Sequence, residues 1–346
     1  MPDAAWNVFG HERAVDVLSR ALDHERLAHA YLFSGPHGVG KTALALGLAR
    51  AVNCETAGPG VPRDTRSGRP PCGACRRCRL IADGKHPEVR VLAVEPPHKV
   101  IRVADVESIQ ADAALRPADA YRKVYIIDRA ELLHVDAANR LLKTIEEPPP
   151  SVMMVLTTVD PDATLETIVS RCQHIRLRPL PTDRLAQILG SRGLDFEQAA
   201  LLAALSEGAA GRALTLMADA RRLERRERLL DDLHGLLSAD RIDRLQYART
   251  LADRWSSNPD SVREALDAWL RWWRDVLLVQ RGTSSRIVNL DRRADLERHA
   301  SAFAPRVVAD AIARGRDTLQ MLDQNVNARL ALDVALLELP RSTRAA

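Results

Sequence analysis

Gly35-Pro36-His37-Gly38-Val39-Gly40-Lys41-Thr42 decides the fold of this chain. The stretch fits G-x-x-x-x-G-K-[ST], a pattern with physical content only between a strand and a helix. Both flanks are present. Ala30-Tyr31-Leu32-Phe33-Ser34 is a short apolar run with strand character, and Thr42 to about Val52 is rich in alanine and leucine, which predicts a helix. Gly35, Gly38 and Gly40 let the backbone curl so that successive N–H groups point inward at phosphate oxygens. The positive end of the following helix adds to that field. In such a loop Lys41 reaches the β/γ-phosphates and the Thr42 hydroxyl holds Mg²⁺, so ATP or ADP with Mg²⁺ is the expected ligand.

A hydrolysing site of this type also needs an acid at the end of a neighbouring strand to orient Mg²⁺. Val124-Tyr125-Ile126-Ile127-Asp128 supplies Asp128 from an apolar run. Many such ATPases place a glutamate directly after that aspartate to polarise the attacking water, and here the position holds Arg129. Glu131 could take over only if the chain turned it back toward the phosphates. Its place at the start of the next helical segment predicts an exposed side chain.

Outward from the loop the first half alternates in a βα rhythm. The pattern predicts an amphipathic helix from His11 to about Arg26, a strand over Val89–Val94 and a helix from Val103 to about Leu115. A strand over Lys123–Ile127, a helix over Val135–Glu146 stopped by Pro148-Pro149-Pro150, and a strand over Val152–Thr157 follow. This alternation predicts a mainly parallel sheet with helices on both faces and ligand sites at the carboxyl ends of its strands.

After Arg178-Pro179-Leu180-Pro181 the strands stop. Short helices are expected at roughly 182–192, 196–206 and 212–220, then long helical periodicity to about Leu339. Trp269, Trp272 and Trp273 stand at i, i+3 and i+4, with Leu266 and Leu277 on the same stripe. Such a stripe is a buried bundle core or a subunit contact before it is a nucleic-acid surface. The run Arg221-Arg222-Leu223-Glu224-Arg225-Arg226-Glu227-Arg228 mixes signs and reads as a solvated helix face.

Four of the five cysteines lie together: Cys54, Cys72, Cys75 and Cys78, with Cys172 apart. Two-residue spacers let successive thiolates fold around one ion, and four thiolates close a structural Zn²⁺ site with no open position. A redox C-x-x-C pair is the competing reading, disfavoured by the third and fourth thiols. His86 is an alternative to Cys54, because the 17 residues between Cys54 and Cys72 form a long segment rich in Pro, Gly and Arg. Cys54 is preferred, where the helix after the phosphate loop runs out. Without histidines, paired fingers or a basic recognition helix, the cluster does not resemble a DNA-reading zinc module.

Composition sets the outer bounds. A chain of 346 residues suggests two or three domains. A formal charge of +4 is too small to argue for nucleic-acid binding, and 4% aromatics argue against a stacking platform for single strands. No stretch approaches ~20 apolar residues, and Met1-Pro2-Asp3-Ala4-Ala5-Trp6 lacks a basic-then-apolar pattern. A cytoplasmic protein without a membrane partner is therefore expected.

Several motifs in one order carry a resemblance. They are Gly10-His11-Glu12, His29-Ala30-Tyr31-Leu32-Phe33, the glycine loop, Leu141-Leu142-Lys143-Thr144-Ile145-Glu146-Glu147-Pro148 and Ser170-Arg171-Cys172. Together they resemble the clamp-loader branch of the AAA+ ATPases. The cysteine cluster followed by Gly84-Lys85-His86-Pro87 narrows this to bacterial DNA polymerase III clamp-loader subunits. The likeness covers about the first 215 residues strongly. It extends loosely to Asn325-Val326-Asn327-Ala328-Arg329-Leu330-Ala331-Leu332, which looks like the last collar helix of that family. The resemblance implies an AAA+ P-loop parallel-sheet domain over 1–179 with a zinc module at about 54–78. A helical lid over 180–221 and an all-helical collar over 222–346 would complete the chain.

It also implies the partners: gamma/tau and delta subunits in a hetero-pentamer, and through that complex the sliding clamp and primed DNA. The gamma/tau motor carries Asp-Glu where this chain has Asp128-Arg129. The motor's lid also has a G-x-x-R-x-A-L arginine where this chain has Gly211, with Arg212 one residue late in Gly208-Ala209-Ala210-Gly211-Arg212-Ala213-Leu214. One residue on a helix rotates a side chain by ~100°. Both departures point to a non-motor member whose own hydrolysis is lost, the alternative being an ATP-hydrolysing gamma/tau-type subunit. In the family the arginine of Ser-Arg-Cys is a finger into a neighbour's ATP site, which makes Arg171 the expected catalytic residue, acting in trans. Cys172 is then expected as a small buried residue. Thr158 falls near the family's γ-phosphate sensor.

Overall fold

The computed structural model describes residues 6–56, 71–94, 98–324 and 326–341. Most of the biased segment between Cys54 and Cys72, the first five residues, and Asn325 of the collar motif lie outside the described residues. The chain divides into two compact units. One comprises residues 1–181 with 208–212, and the other residues 182–207 with 213–346.

The first unit is built on five parallel strands in the order β2-β3-β4-β1-β5. They are β1 (Ala30–Ser34), β2 (Val89–Leu92), β3 (Lys123–Ile127), β4 (Val152–Thr158) and β5 (Gln173–Arg176). β1, β3 and β4 are buried along their whole length, which is why they read as continuous apolar runs rather than alternating ones. The twofold alternation survives in where the side chains go. Tyr31, Phe33, Val124, Ile126, Met153 and Val155 pack on one face with α1 (Glu12–Asp23) and α2 (Lys41–Asn53). Leu32, Tyr125, Ile127, Met154 and Leu156 pack on the other with α4 (Val103–Ala113) and α5 (Val135–Glu146). α3 (Arg76–Ala82) follows the cysteine run, and α6 (Glu166–Val169) precedes β5.

In the first unit, helix and strand positions agree with the sequence reading to within a few residues, with three additions, α3, α6 and β5. β5 pairs with β1 from Tyr31↔Gln173 to Ser34↔Arg176. Its four residues, Gln-His-Ile-Arg, are mostly exposed on an edge, so no apolar pattern marked them.

The second unit is helical: α7 (Thr182–Gly190), α8 (Phe196–Leu205), most of α9 (Ala210–Ala218), α10 (Ala220–Ser238), α11 (Arg241–Ser257), α12 (Pro259–Gln280), α13 (Arg293–Ala302), α14 (Pro305–Asp323) and α15 (Ala328–Leu337). Local chemistry sets their starts: Asp195, Asp219, Asp240, Asn258 and Asn327 each accept a backbone N–H in the first turn. The tryptophan stripe is core, with Trp269, Trp272 and Trp273 all buried among Leu230, Leu233, Val276 and Leu332. The mixed-charge run is mostly solvated, except that Arg226 grips Asp291 through two bonds of 2.7 and 2.9 Å and Asn289 at 2.6 Å.

Arg244 is the largest surprise in this unit. Its side chain is fully buried with no carboxylate among its hydrogen-bond partners. The guanidinium donates instead to the carbonyls of Leu236 (3.0 Å) and Leu237 (3.5 Å), at the end of α10. It also donates to those of Leu336, Leu337, Leu339 (2.6 Å) and Pro340 (3.0 Å), at and beyond the end of α15. Helix C-termini leave carbonyls without internal partners and carry partial negative charge, so one fork satisfies two helix ends and is balanced by them. No helix among the described residues is long and apolar enough to cross a membrane.

Candidate functional site

The phosphate loop leaves the carboxyl end of β1, where ligands of open parallel sheets bind. The Gly35 amide continues the ladder by donating to Thr158 O at 3.1 Å. Gly35, Gly38 and Gly40 then take φ of +145°, +74° and +116°, a path closed to most L side chains. Gly40 is the residue before the first turn of α2. The His11 ring nitrogen Nε2 lies 2.8 Å from Val39 O, tying the entry to α1 onto the loop from outside.

Lys41 is buried, and its ammonium donates to the loop's own carbonyls, Gly35 O at 2.6 Å and Pro36 O at 3.0 Å. Burial pulls its pKa below the ordinary lysine value, while the Glu131 and Asp128 charges oppose that shift. Thr42 Oγ1 donates to Asp128 Oδ1 at 2.8 Å, so the two side chains expected to hold Mg²⁺ meet although 86 residues separate them. A second hydroxyl, Thr157 Oγ1, donates to the same Asp128 oxygen at 2.8 Å and accepts the Arg129 amide at 3.0 Å. The sequence pointed to Thr158 instead. That side chain is buried, donates to Asp160 O at 2.8 Å and accepts from Thr164, so its hydroxyl is held locally. Thr157 went unread because two adjacent threonines in one strand face opposite ways, and the sequence does not say which faces the loop.

Glu131 corrects the sequence reading. Arg129 adopts a left-handed conformation, φ +62°, ψ 65°, uncommon for arginine. The chain then enters a short 3₁₀ turn over Ala130–Leu132. That turn brings Glu131 inward: its side chain is 12% exposed, neither carboxylate oxygen has a hydrogen bond, and Arg129 Nε lies 3.5 Å away. Buried carboxylates are costly without partners, and here the Arg129 guanidinium and the Lys41 ammonium both offset the Glu131 charge.

Gly211 lies against the loop. Its amide donates to Gly38 O at 2.8 Å, and a Cβ at position 211 would also stand 2.8 Å from that oxygen. Residues 208–212 cluster with the first unit, so this contact is internal to it. A Cβ on Gly38 would reciprocally meet Arg212.

The sulfurs of Cys54, Cys72, Cys75 and Cys78 all lie within 4.8 Å of one another. A tetrahedral Zn²⁺ with bonds of about 2.3 Å needs sulfurs about 3.8 Å apart, so a small contraction closes the site. Backbone amides donate to three of the sulfurs: Cys72 N to Cys54 Sγ at 3.4 Å, Cys75 N to Cys72 Sγ at 3.3 Å, and Cys78 N to Cys75 Sγ at 3.4 Å. Such bonds favour thiolates, the form a metal takes. Cys54 is pulled down to about 3, first by its hydrogen bond with Cys78, and the same shared proton drives Cys78 upward. The donor set fits a structural zinc ion, with Cys54 and Cys78 forming its buried side. His86 stands outside the cluster, buried, with Nδ1 accepting the Glu88 amide at 3.2 Å. Cys172 also stands outside and is raised to about 12 by burial.

Arg171 is half-exposed, away from the glycine loop in sequence and set just before β5. Its Nε lies 2.7 Å from Glu146 Oε1, and its Nη1 donates to Thr167 O at 3.0 Å and Ser170 Oγ at 3.4 Å.

Residues 10–181 match the family described as DNA polymerase III, delta subunit, and residues 220–340 match DNA polymerase III, delta subunit, C terminal. The delta' subunit of DNA polymerase III from Bacillus subtilis is 29% identical over 330 residues, covering 94% of this chain and 95% of that one. The tau subunit of Escherichia coli is 36% identical over 221 residues, covering 62% of this chain and 32% of tau. Among solved structures, a gamma-subunit-related protein of Thermotoga maritima has 16% identity and a TM-score of 0.39, covering 93% of this chain and 97% of that one. The RuvB branch-migration motor of the same organism has 18% identity and a TM-score of 0.41, covering 79% of this chain and 77% of that one. With two family models in register along the chain and a delta' relative aligned almost end to end, the chain belongs to the delta-prime subunit family of DNA polymerase III.

Proposed function

We propose that this delta-prime clamp-loader subunit serves its complex as a non-motor member that lends Arg171 to a neighbouring gamma/tau subunit. Gamma/tau and delta would be its partners in a hetero-pentamer that opens the sliding clamp and loads it onto primed DNA in the cytoplasm. An arginine at a neighbour's γ-phosphate stabilises charge on the transferred phosphoryl group, an effect worth ~10³–10⁵ in rate in other NTPases. Its planar fork suits the task better than a lysine.

The observation that carries this reading is the turn after Asp128. Thr42 and Asp128 are hydrogen-bonded to each other, as a pair that would share Mg²⁺, but the next position is Arg129, and the one further carboxylate at the turn, Glu131, is ion-paired to it. A carboxylate turned toward a guanidinium, with no hydrogen bond to orient it, is not the positioned base that an attacking water needs. The loop of Gly35, Gly38, Gly40, Lys41 and Thr42 would therefore hold ATP or ADP with Mg²⁺ as a structural ligand without turning it over. Cys54, Cys72, Cys75 and Cys78 would hold Zn²⁺ structurally. Three functional parts follow in this reading: a nucleotide-binding domain over 1–179, a lid over 180–221 and a collar over 222–346.

The test is ATP turnover by the purified chain alone, then with its partner subunits. We expect none alone, and a loss of stimulated turnover when Arg171→Ala is assembled into the loader. Turnover by the isolated chain that Lys41→Ala abolishes would favour a motor subunit instead.

A further inference from the structure

Arg171 is not a loose side chain. Of its three nitrogens, Nε faces Glu146 Oε1 at 2.7 Å and Nη1 is engaged by Thr167 O and Ser170 Oγ, all on its own chain. Nη2 has no hydrogen bond among the described residues. Glu146 thus holds one side of the guanidinium by charge while Nη1 is hydrogen-bonded locally, and one nitrogen with two N–H groups is left for something outside.

The position of Glu146 makes the contact more than incidental. Glu146 is the last residue of α5, where the helix already carries partial negative charge and an acid is disfavoured by the helix itself. Lys143 supplies the basic residue of that last turn. A carboxylate here is accounted for by what it holds across space, and it holds the one arginine to which the proposed function gives a role in trans. With the two side chains 41% and 46% exposed, the pair adds little to folding, since solvent screens such contacts. Its consequence is orientation. A guanidinium on a long flexible stem loses less freedom on meeting a phosphate if its plane is set beforehand.

We propose that Glu146 is a positioning residue for Arg171, drawing the guanidinium to one side by its charge so that Nη2 is presented to the terminal phosphate of a nucleoside triphosphate bound by the adjacent subunit. The inference rests on the finger reading of Arg171.

The test uses the reconstituted loader and the part of its stimulated ATP turnover that Arg171→Ala removes. Glu146→Gln keeps the shape and removes the charge. It is expected to cut that Arg171-dependent part of kcat about tenfold, with the KM for ATP unchanged, because orientation is lost while the neighbour's own nucleotide contacts remain. In an Arg171→Ala background the same change should cause no further loss, as a pair acting as one unit requires. Wild-type kcat in the Glu146→Gln loader, or an equal loss in both backgrounds, would overturn the positioning role and leave the finger standing. Undiminished turnover with Arg171→Ala would instead remove the finger itself.

Discussion

The Gly211 amide donates to the Gly38 carbonyl across 2.8 Å, and this bond seats the first turn of α9 on the phosphate loop. In the sequence, glycine at 211 marked the absence of an arginine that a motor subunit would carry. In space it marks a close approach. A Cβ added at 211 would come within 2.8 Å of the Gly38 oxygen, a backbone atom that cannot swing aside. We expect Gly211→Ala to destabilise the first unit by about 1–3 kcal/mol, the usual cost of overpacking. Gly211→Arg should lower stability further and yield no turnover. Urea unfolding and an ATPase assay of the same proteins check both outcomes, and wild-type stability in Gly211→Ala would show that the loop can yield.

Asp128 Oδ1 receives the hydroxyls of both Thr42 and Thr157. If this cluster holds Mg²⁺, Asp128→Asn should weaken nucleotide binding by about tenfold or more when Mg²⁺ is present, with little change when it is chelated. Thr157→Val removes the bond to Asp128 and the acceptor of the Arg129 amide, and should cost about 1–3 kcal/mol of stability. Titration of a fluorescent ADP with and without Mg²⁺ separates the two. Equal loss under both conditions would count against a metal role for Asp128.

How far the sequence could be read depends on whether a feature is local. The strand, glycine loop and helix around Lys41 are contiguous, and so are the spacers between Cys72, Cys75 and Cys78, so each declared its geometry directly. The helix starts at Asp195, Asp219 and Asp240 rest on local hydrogen bonds as well, yet the undivided helical period after about residue 221 hid the break before Asp240. What escaped depends on distant chain or on an unusual backbone. β5 is a strand because β1 pairs with it, and its side chains carry no period. Glu131 points inward because Arg129 takes a positive φ, which nothing in an arginine announces. Nothing local marks Arg244, since its carbonyl partners lie up to 96 residues away.

The zinc assignment predicts one zinc per chain by elemental analysis. Cys78→Ser should lose the ion, because Cys78 is buried and, among the described residues, no other thiol or imidazole stands in the cluster to replace it. Loss of a structural metal belongs to the severe class of destabilisation, more than about 4 kcal/mol. Chelation should lower the melting temperature of the wild type and leave that of Cys78→Ser unchanged. A metal-free wild-type protein with an unchanged melting temperature would speak against a structural ion.

Arg244 ends two helices at once, so its removal strands carbonyls of both. Arg244→Met keeps most of the volume but satisfies none of them. With each buried polar group left bare costing about 1–3 kcal/mol, the sum should exceed about 3 kcal/mol. Arg244→Lys should recover part of it, because three donors replace five. Denaturant midpoints of the two variants test the order. Equal midpoints would mean that volume, not donor count, matters at this site.

The helical unit should also lose stability in acid through a buried imidazole and its half-buried neighbour. His299 accepts the Trp272 indole N–H at 3.1 Å, and its ring centroid lies 5.0 Å from that of His234. Burial pushes His299 down to about 4, with His234 adding to the shift, and burial lowers His234 as well. Asp295 opposes both shifts, while Arg298 reinforces them. The unfolded chain has an ordinary histidine value of about 6.5, so between that value and 4 the unfolded state binds a proton that the native state refuses. Stability is then fully present above about pH 6.5 and falls as pH drops toward 4. For His299 the loss should reach ~2 kcal/mol between pH 7 and pH 4.5. His299→Gln keeps an acceptor for Trp272 without titrating, so its stability should fall less steeply over the same interval. Urea midpoints for both proteins at the two pH values decide it: a parallel decline would mean that other groups, the carboxylates first, account for the acid sensitivity.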